Sequence, residues 1–144
     1  MYRDGTVDVL ARGLIHRLGD RRPIAVATLG TVMATLADSR TEMTEILLPN
    51  QTNSLGRALG GTVLHWMDIC AAIASMRFAG RQCVTASMDH VDFVSAIDLG
   101  EVAVIEGYVF ETGRTSIEVR VDVHAENPLE GTSRLATTSC FTFV

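Results

Sequence analysis

The chain contains no lysine: all 12 of its basic residues are arginine, set against 17 Asp and Glu, for a formal net charge of −5. An acidic surface repels a phosphate backbone, which argues against a nucleic-acid partner. No stretch of about 18 consecutive apolar residues exists, so no membrane span is expected. Cysteine is scarce and odd in number. Cys70, Cys83 and Cys140 have no Cys-x-x-Cys spacing, which argues against a disulfide framework and reads as small apolar residues in a reducing compartment, the cytoplasm. His16, His65, His90 and His124 lie far apart in sequence. No metal-ligand pattern forms, and neither metal nor other cofactor is expected.

What is present suffices for one domain: 144 residues bury a core without covalent staples. The chain divides by charge. Residues 1–39 hold five Arg and four Asp, net +1, whereas residues 40–144 hold seven Arg, five Asp and eight Glu, net −6. Within the first part, residues 6–18 fit a short amphipathic helix with Val9, Leu10, Leu14 and Leu18 on one side. Arg21-Arg22 then precedes a mildly apolar run from Ile24 to Ala37. Three readings compete for residues 1–39: a dispensable extension, upstream sequence ahead of a true start at Met33, or a twin-arginine export signal. On each of them the working domain spans 40–144.

A coarse element order follows from periodicity. A strand is expected from Thr41 to Leu48, stopped by Pro49, then a loop over Gln51 to Leu59. A helix is expected from Thr62 to Phe78, ended by Gly80. Strands follow at Gln82–Phe93, Glu101–Glu111, Thr115–Glu126 and Arg134–Val144, the second and third joined by a turn at Gly113, and the last two by one at Asn127–Gly131. In the first of these the apolar set shifts parity between Met88 and Val91, which predicts a bulge at Asp89-His90. Ile117, Val119, Val121, Val123 and Ala125 alternate with polar residues, as in an antiparallel strand with one wet face. The helix is apolar around most of its circumference, which predicts burial nearly all round. Its exceptions, His65, Asp68, Ala72 and Ser75, follow 3-4-3 spacing and form one stripe. The class is α+β, one long helix wrapped by a curved antiparallel sheet.

The densest signal is Asn53 to Asp68. An Asn- and Gly-containing loop leads into Gly60-Gly61, a helix begins, and Asp68 stands two turns inside it. A helix start offers free N–H groups and partial positive charge. A carboxylate inside an apolar helix needs a task or a partner.

Asn-x-x-Gly-x-x-x-Gly-Gly ahead of Trp66-Met67-Asp68, with Val84-Thr85-Ala86-Ser87, Asp92-Phe93, Gly113-Arg114-Thr115-Ser116 and the terminal Phe141-Thr142-Phe143-Val144, resembles the hotdog-fold acyl-CoA thioesterases of the brain acyl-CoA hydrolase type. The resemblance covers about residues 43–144. It implies the hotdog fold, metal-free hydrolysis of acyl-CoA, and self-association as dimers pairing their sheets edge to edge or as trimers of dimers, with active sites shared between subunits. It places the catalytic aspartate on Asp68, the loop asparagine on Asn53 (reaching the partner's cleft), the glycine pair on Gly60 and Gly61, and coenzyme A contacts on Gly113, Arg114, Thr115 and Ser116. Relatives usually continue past Phe-Thr-Phe-Val, and His65 stands where they vary.

Each residue also has a plainer use. Gly61 is either an N–H donor to a developing oxyanion or only a tight turn. Asp68 either activates water, or attacks directly, or pairs structurally with Arg57 or Arg77. Asn53 either orients the water or thioester or closes an Asx turn. Thr85 and Ser87 alternate on one strand face, as lining for a pantetheine channel or as ordinary polar packing. Arg114 and Ser116 either meet phosphates or sit on a solvated hairpin tip. His65 is one turn from Asp68, within reach of a hydrogen bond. A non-catalytic acyl-CoA-binding domain and a hydratase of the same fold are the alternative functions.

Overall fold

The computed structural model describes residues 39–144. The helix expected over 6–18, the paired arginines, the apolar run to Ala37 and the start at Met33 lie outside them. The described chain forms β1 (Thr41–Ile46), α1 (Gly60–Ala79), β2 (Thr85–Met88), β3 (Asp92–Phe93), β4 (Val102–Thr112), β5 (Ile117–Asn127) and β6 (Thr132–Phe143). The strands make one sheet in the order β1-β4-β5-β6-β2, with β3 also paired to β6. Every pairing is antiparallel. With the single long helix packed on it, this is the expected α+β hotdog architecture. Among the described residues no helix is long and apolar enough to cross a membrane.

β5 shows why the sheet forms. Its alternating set Val119, Val121, Val123 and Ala125 is fully buried, while Arg120 on the other face is exposed. Ala103, Ile105 and Val109 of β4 and Phe141 and Phe143 of β6 continue the buried face. Helix α1 lays Val63, Trp66, Met67, Cys70, Ala71, Ala74, Ser75 and Phe78 on it, a 3-4-3 series that makes one stripe. Each large side chain so buried contributes about 1.5–3 kcal/mol. The approach is close at Gly107, where an added Cβ would stand 3.0 Å from Cys70 Sγ. Burial pushes the Cys70 thiol up to about 11, so it is packing rather than reactive sulfur. The helix stops where Gly80 turns left-handed, φ +65°, and donates its N–H to the Met76 carbonyl at 2.9 Å.

Four expectations are corrected. The helix is not buried all round: Ile69, Ile73 and Met76 form a second apolar stripe that stays half-buried, because one sheet covers a helix on one side only. The strand expected over Gln82–Phe93 is two pieces. The ladder with β6 slips by one residue between Thr85 and Ser87, and the chain leaves it at residues 89–91, where the parity shift was seen. β1 ends at Ile46, ahead of a short 3-10 turn at Pro49–Gln51. Cys83 and Cys140 are half-buried rather than buried.

Candidate active site

The helix start presents backbone donors with no side-chain cap. Its N-cap residue, Leu59, has no side chain able to cap, and no side-chain cap bond is present. Thr62 and Val63 donate to the Leu59 carbonyl, at 3.0 and 3.2 Å. The N–H groups of Gly60 and Gly61 have no such acceptor among the described residues. Above Gly61 there is open space: an added Cβ would meet nothing within 4 Å. At Gly60 it would stand 3.3 Å from the ring of Phe93, which sits half-exposed against the helix start. Two free donors at the positive end of a 20-residue helix can hold an oxygen that carries negative charge.

The loop before it is closed by its own hydrogen bonds. Asn53 Oδ1 accepts the N–H groups of Leu55 at 2.9 Å and Arg57 at 3.2 Å, and the Asn53 N–H donates to the Arg57 carbonyl at 2.8 Å. The Asx-turn reading of Asn53 is therefore correct. It does not exhaust the residue, because the turn uses the carbonyl oxygen and leaves the amide Nδ2 to donate elsewhere. Asn53 is exposed and makes no bond to Asp68 in its own chain.

Asp68 is half-buried, and its partner is Thr85: the hydroxyl donates to Oδ1 at 2.7 Å. The sequence pattern assigned Thr85 to channel lining or to ordinary polar packing, not to Asp68. The signal it lacked was which way β2 folds back along the helix. The arginine pairings fall away, since Arg57 meets Asp98 at 3.5 Å and Arg77 donates to Thr41 Oγ1 at 3.1 Å and to the Arg40 carbonyl at 3.3 Å. His65 is exposed and has no hydrogen bond to Asp68. Ser75, further along the same stripe, is fully buried and donates to the Ala72 carbonyl. Asp68 is thus the point where the stripe passes from water into the core. Ser87 does not share the regular alternation of Thr85, because the register slip falls between them.

The turn Gly113–Ser116 joins β4 to β5 beside the far end of α1. A cleft of about 260 Å³ opens there, lined among others by Arg81, Cys83, Gly113, Arg114, Thr115 and Ser116. Gly113 donates its N–H to the Ser116 carbonyl at 2.8 Å, and an added Cβ would lie 2.7 Å from Ser116 Oγ. Only glycine fits the turn without moving that hydroxyl. The cleft does not include Asp68: at 1.5 Å per residue the helix carries Ala79 roughly 16 Å past it. The described chain therefore offers three separate pieces, a donor site at the helix start, a carboxylate–hydroxyl pair mid-helix, and an arginine-lined cleft at the helix end.

The sequence pattern of the thioesterase superfamily matches residues 55–132. An uncharacterized acyl-CoA thioester hydrolase of Bacillus subtilis is 37% identical over 107 residues, 74% of this chain and 62% of that protein. The chain thus spans less than two thirds of that relative. A hexameric acyl-CoA thioesterase solved in its apo form matches with a TM-score of 0.74 at 46% identity, covering 76% of this chain and 70% of that one. An acyl-CoA hydrolase of Staphylococcus aureus, solved in complex with butyryl coenzyme A, coenzyme A and coenzyme A disulfide, gives 0.73 at 34% identity, covering 76% and 66%. That S. aureus protein has also been solved with alanine replacing an aspartate, a threonine and an asparagine. In its chain the asparagine precedes the aspartate by 43 − 28 = 15 residues, and the threonine follows it by 60 − 43 = 17.

Proposed function

The chain belongs to the thioesterase superfamily, and on that premise we propose that residues 40–144 hydrolyse acyl-CoA thioesters to a free carboxylic acid and coenzyme A. The observation that carries this reading is the Thr85–Asp68 hydrogen bond. It fixes one carboxylate oxygen and leaves Oδ2 to accept from a water. The spacings support it. Asn53 to Asp68 is 68 − 53 = 15 and Asp68 to Thr85 is 85 − 68 = 17, the same as the three residues replaced in the S. aureus hydrolase.

In the step proposed, a water oxygen adds to the thioester carbonyl carbon while Asp68 takes its proton. The carbonyl oxygen becomes an oxyanion, and the Gly61 N–H donates to it. When the intermediate collapses, the carbon–sulfur bond breaks. The sulfur leaves with the bonding pair and takes the proton that Asp68 held, giving the thiol of coenzyme A. Asn53 Nδ2 donates to the water or the carbonyl oxygen. Arg114, with the backbone and hydroxyls of Gly113–Ser116, meets the phosphates of the nucleotide end. The roughly 16 Å from Asp68 to the helix end suits an extended pantetheine arm.

Subunits complete the site. β2 is an edge strand with all four residues exposed, and Val84, Met88 and Phe93 along that edge are apolar and exposed. An apolar unpaired edge invites another strand. Pairing through it makes a dimer in which Asn53 meets the partner subunit's Asp68, and three dimers make a hexamer. With three free cysteines and no disulfide, the compartment inferred is the cytoplasm.

Release of thiol from acetyl-, butyryl- and palmitoyl-CoA tests the activity. Wild-type turnover should disappear in Asp68→Ala. Binding of these esters by wild-type protein without thiol release would replace hydrolysis by a non-catalytic acyl-CoA-binding role. Mixing tests the sharing. Refolded mixtures of Asn53→Ala and Asp68→Ala subunits contain one half mixed dimers with one intact site of two, so about a quarter of wild-type activity should return. No return would place Asn53 and Asp68 in the same subunit's site.

A further inference from the structure

Glu101 and Arg134 lie in neither the donor site nor the cleft, yet they form a two-pronged, charge-assisted contact with further backbone partners. Glu101 stands one residue before β4, and Arg134 lies on β6, across the end of β5. The arginine makes two parallel bonds, Nη1 to Oε1 at 2.6 Å and Nη2 to Oε2 at 2.7 Å. Oε2 also accepts the Asp98 N–H at 2.8 Å, and Nη2 also donates to the Ala96 carbonyl at 2.7 Å. The Glu101 side chain is only 13% exposed. The Arg134 guanidinium holds its carboxyl below the usual glutamate range.

From this clamp an unbroken series of bonds leads to Asn53. The clamped segment 96–101 pairs with the loop before the helix: Ala58 donates to the Ile97 carbonyl at 2.9 Å and Leu99 to the Gly56 carbonyl at 2.8 Å. The Asp98 carboxylate lies 3.5 Å from Arg57 Nε and 3.9 Å from Arg134 Nη2. Arg57 is the residue whose N–H and carbonyl close the turn on Asn53. Arg134 belongs to the β6 ladder and Glu101 adjoins the start of β4, while the far end is an exposed loop with little packing of its own.

We infer that Glu101 and Arg134 are positioning residues that hold the Asn53 loop, through segment 96–101, at the angle at which Asn53 reaches the reacting group. The inference rests on the catalytic reading of Asn53 given above. A partly exposed ion pair such as this one adds little to stability. A misplacement of about 1 Å at a reacting group can cost on the order of a hundredfold in rate. The clamp therefore acts on turnover rather than on the fold.

Glu101→Gln keeps the shape and gives up one charged acceptor. Its kcat should fall about tenfold with KM nearly unchanged, an effect of placement. Amide exchange at Leu55 and Arg57, the donors to Asn53, should quicken. In an Asn53→Ala background the same substitution should cost nothing further, because there is no longer an amide to misplace. An equal loss in both backgrounds, or unchanged exchange at those amides, overturns the inference. Should Glu101→Gln fail to fold, Arg134→Lys takes its place: it keeps the charge and cannot make two parallel bonds. An Asn53→Ala protein of full activity would instead remove the underlying reading. An impaired Asn53→Ala beside a fully active Glu101→Gln would remove only the clamp.

Discussion

The two sides of β6 look like parts of different proteins. On one side it faces β5 along eleven paired positions with a single register shift after Val123, and its inner side chains Phe141 and Phe143 are buried under α1. On its other side it carries β2 and β3, six residues in two pieces with a register slip and a gap, all of them exposed. The first side is where long, regular alternation buries area. The second is where the chain departs from regularity and places single side chains: Thr85 on Asp68 and Phe93 on Gly60. Burial is concentrated on one side and the proposed chemistry on the other, and the difference follows from how many neighbours each residue has to satisfy.

The sharpest way to break that division is to cut once on each side. Phe141→Ala empties a fully packed position and should lose about 3–5 kcal/mol of stability. Its activity per folded molecule should hold. Asp68→Ala should do the reverse, losing about 10²–10⁴-fold in turnover, the usual contribution of a general base. Its stability should stay within about 1 kcal/mol, the net value of the one hydrogen bond given up. Urea unfolding and thiol release on the same samples read both quantities. A severe unfolding of Asp68→Ala would return that carboxylate to a structural role.

Two glycines repeat the contrast on a smaller scale. At Gly107 an added Cβ stands 3.0 Å from Cys70 Sγ, so Gly107→Ala should cost about 1–3 kcal/mol through overpacking. At Gly61 an added Cβ meets nothing, and alanine is the better helix former by up to about 1 kcal/mol. Gly61→Ala should therefore match or exceed wild type in stability. It should lose about tenfold or more in turnover, because a methyl group crowds the oxygen that the N–H must reach. Thermal melts and kcat of the pair decide it. A fully active Gly61→Ala would leave the glycine as a turn residue only.

What the sequence made legible follows the same line. The β5 alternation, the existence of an apolar helix at α1 and the stop at Gly80 were readable because each is a period or a local backbone demand, whereas the one-sided burial of α1 was not. Asp68 was readable as an exception to a period. Thr85's bond was not, since it depends on the way β2 folds back along the helix, which no alternation encodes. The Glu101–Arg134 clamp was not either: 33 residues separate the pair, and each alone reads as a solvated surface charge. The parity shift near Asp89-His90 was visible as a fault, but a bulge and a break leave the same trace in sequence.

The smallest expected effect is the pH dependence of that clamp, and its sign follows from the direction of the shift. Glu101 is held below the usual glutamate value of 4.5, first by the Arg134 side chain and also by the Asp98 N–H, against the opposing effect of burial. A carboxyl depressed in the folded state stabilises that state above its unfolded value and loses the contribution as pH falls through the folded value. Melting wild type and Glu101→Gln side by side should therefore show a small gap at neutral pH, on the order of 0.5–1 kcal/mol for a partly exposed pair. The gap should hold down to about pH 4.5 and close below it. The Asp98 carboxylate shares Arg134 with Glu101, so Asp98→Asn should widen the gap, because it removes the second partner of the guanidinium, without moving the pH at which the gap begins to close. A gap that persists unchanged well below the glutamate range would mean that shape, and not charge, ties the ladder to the loop.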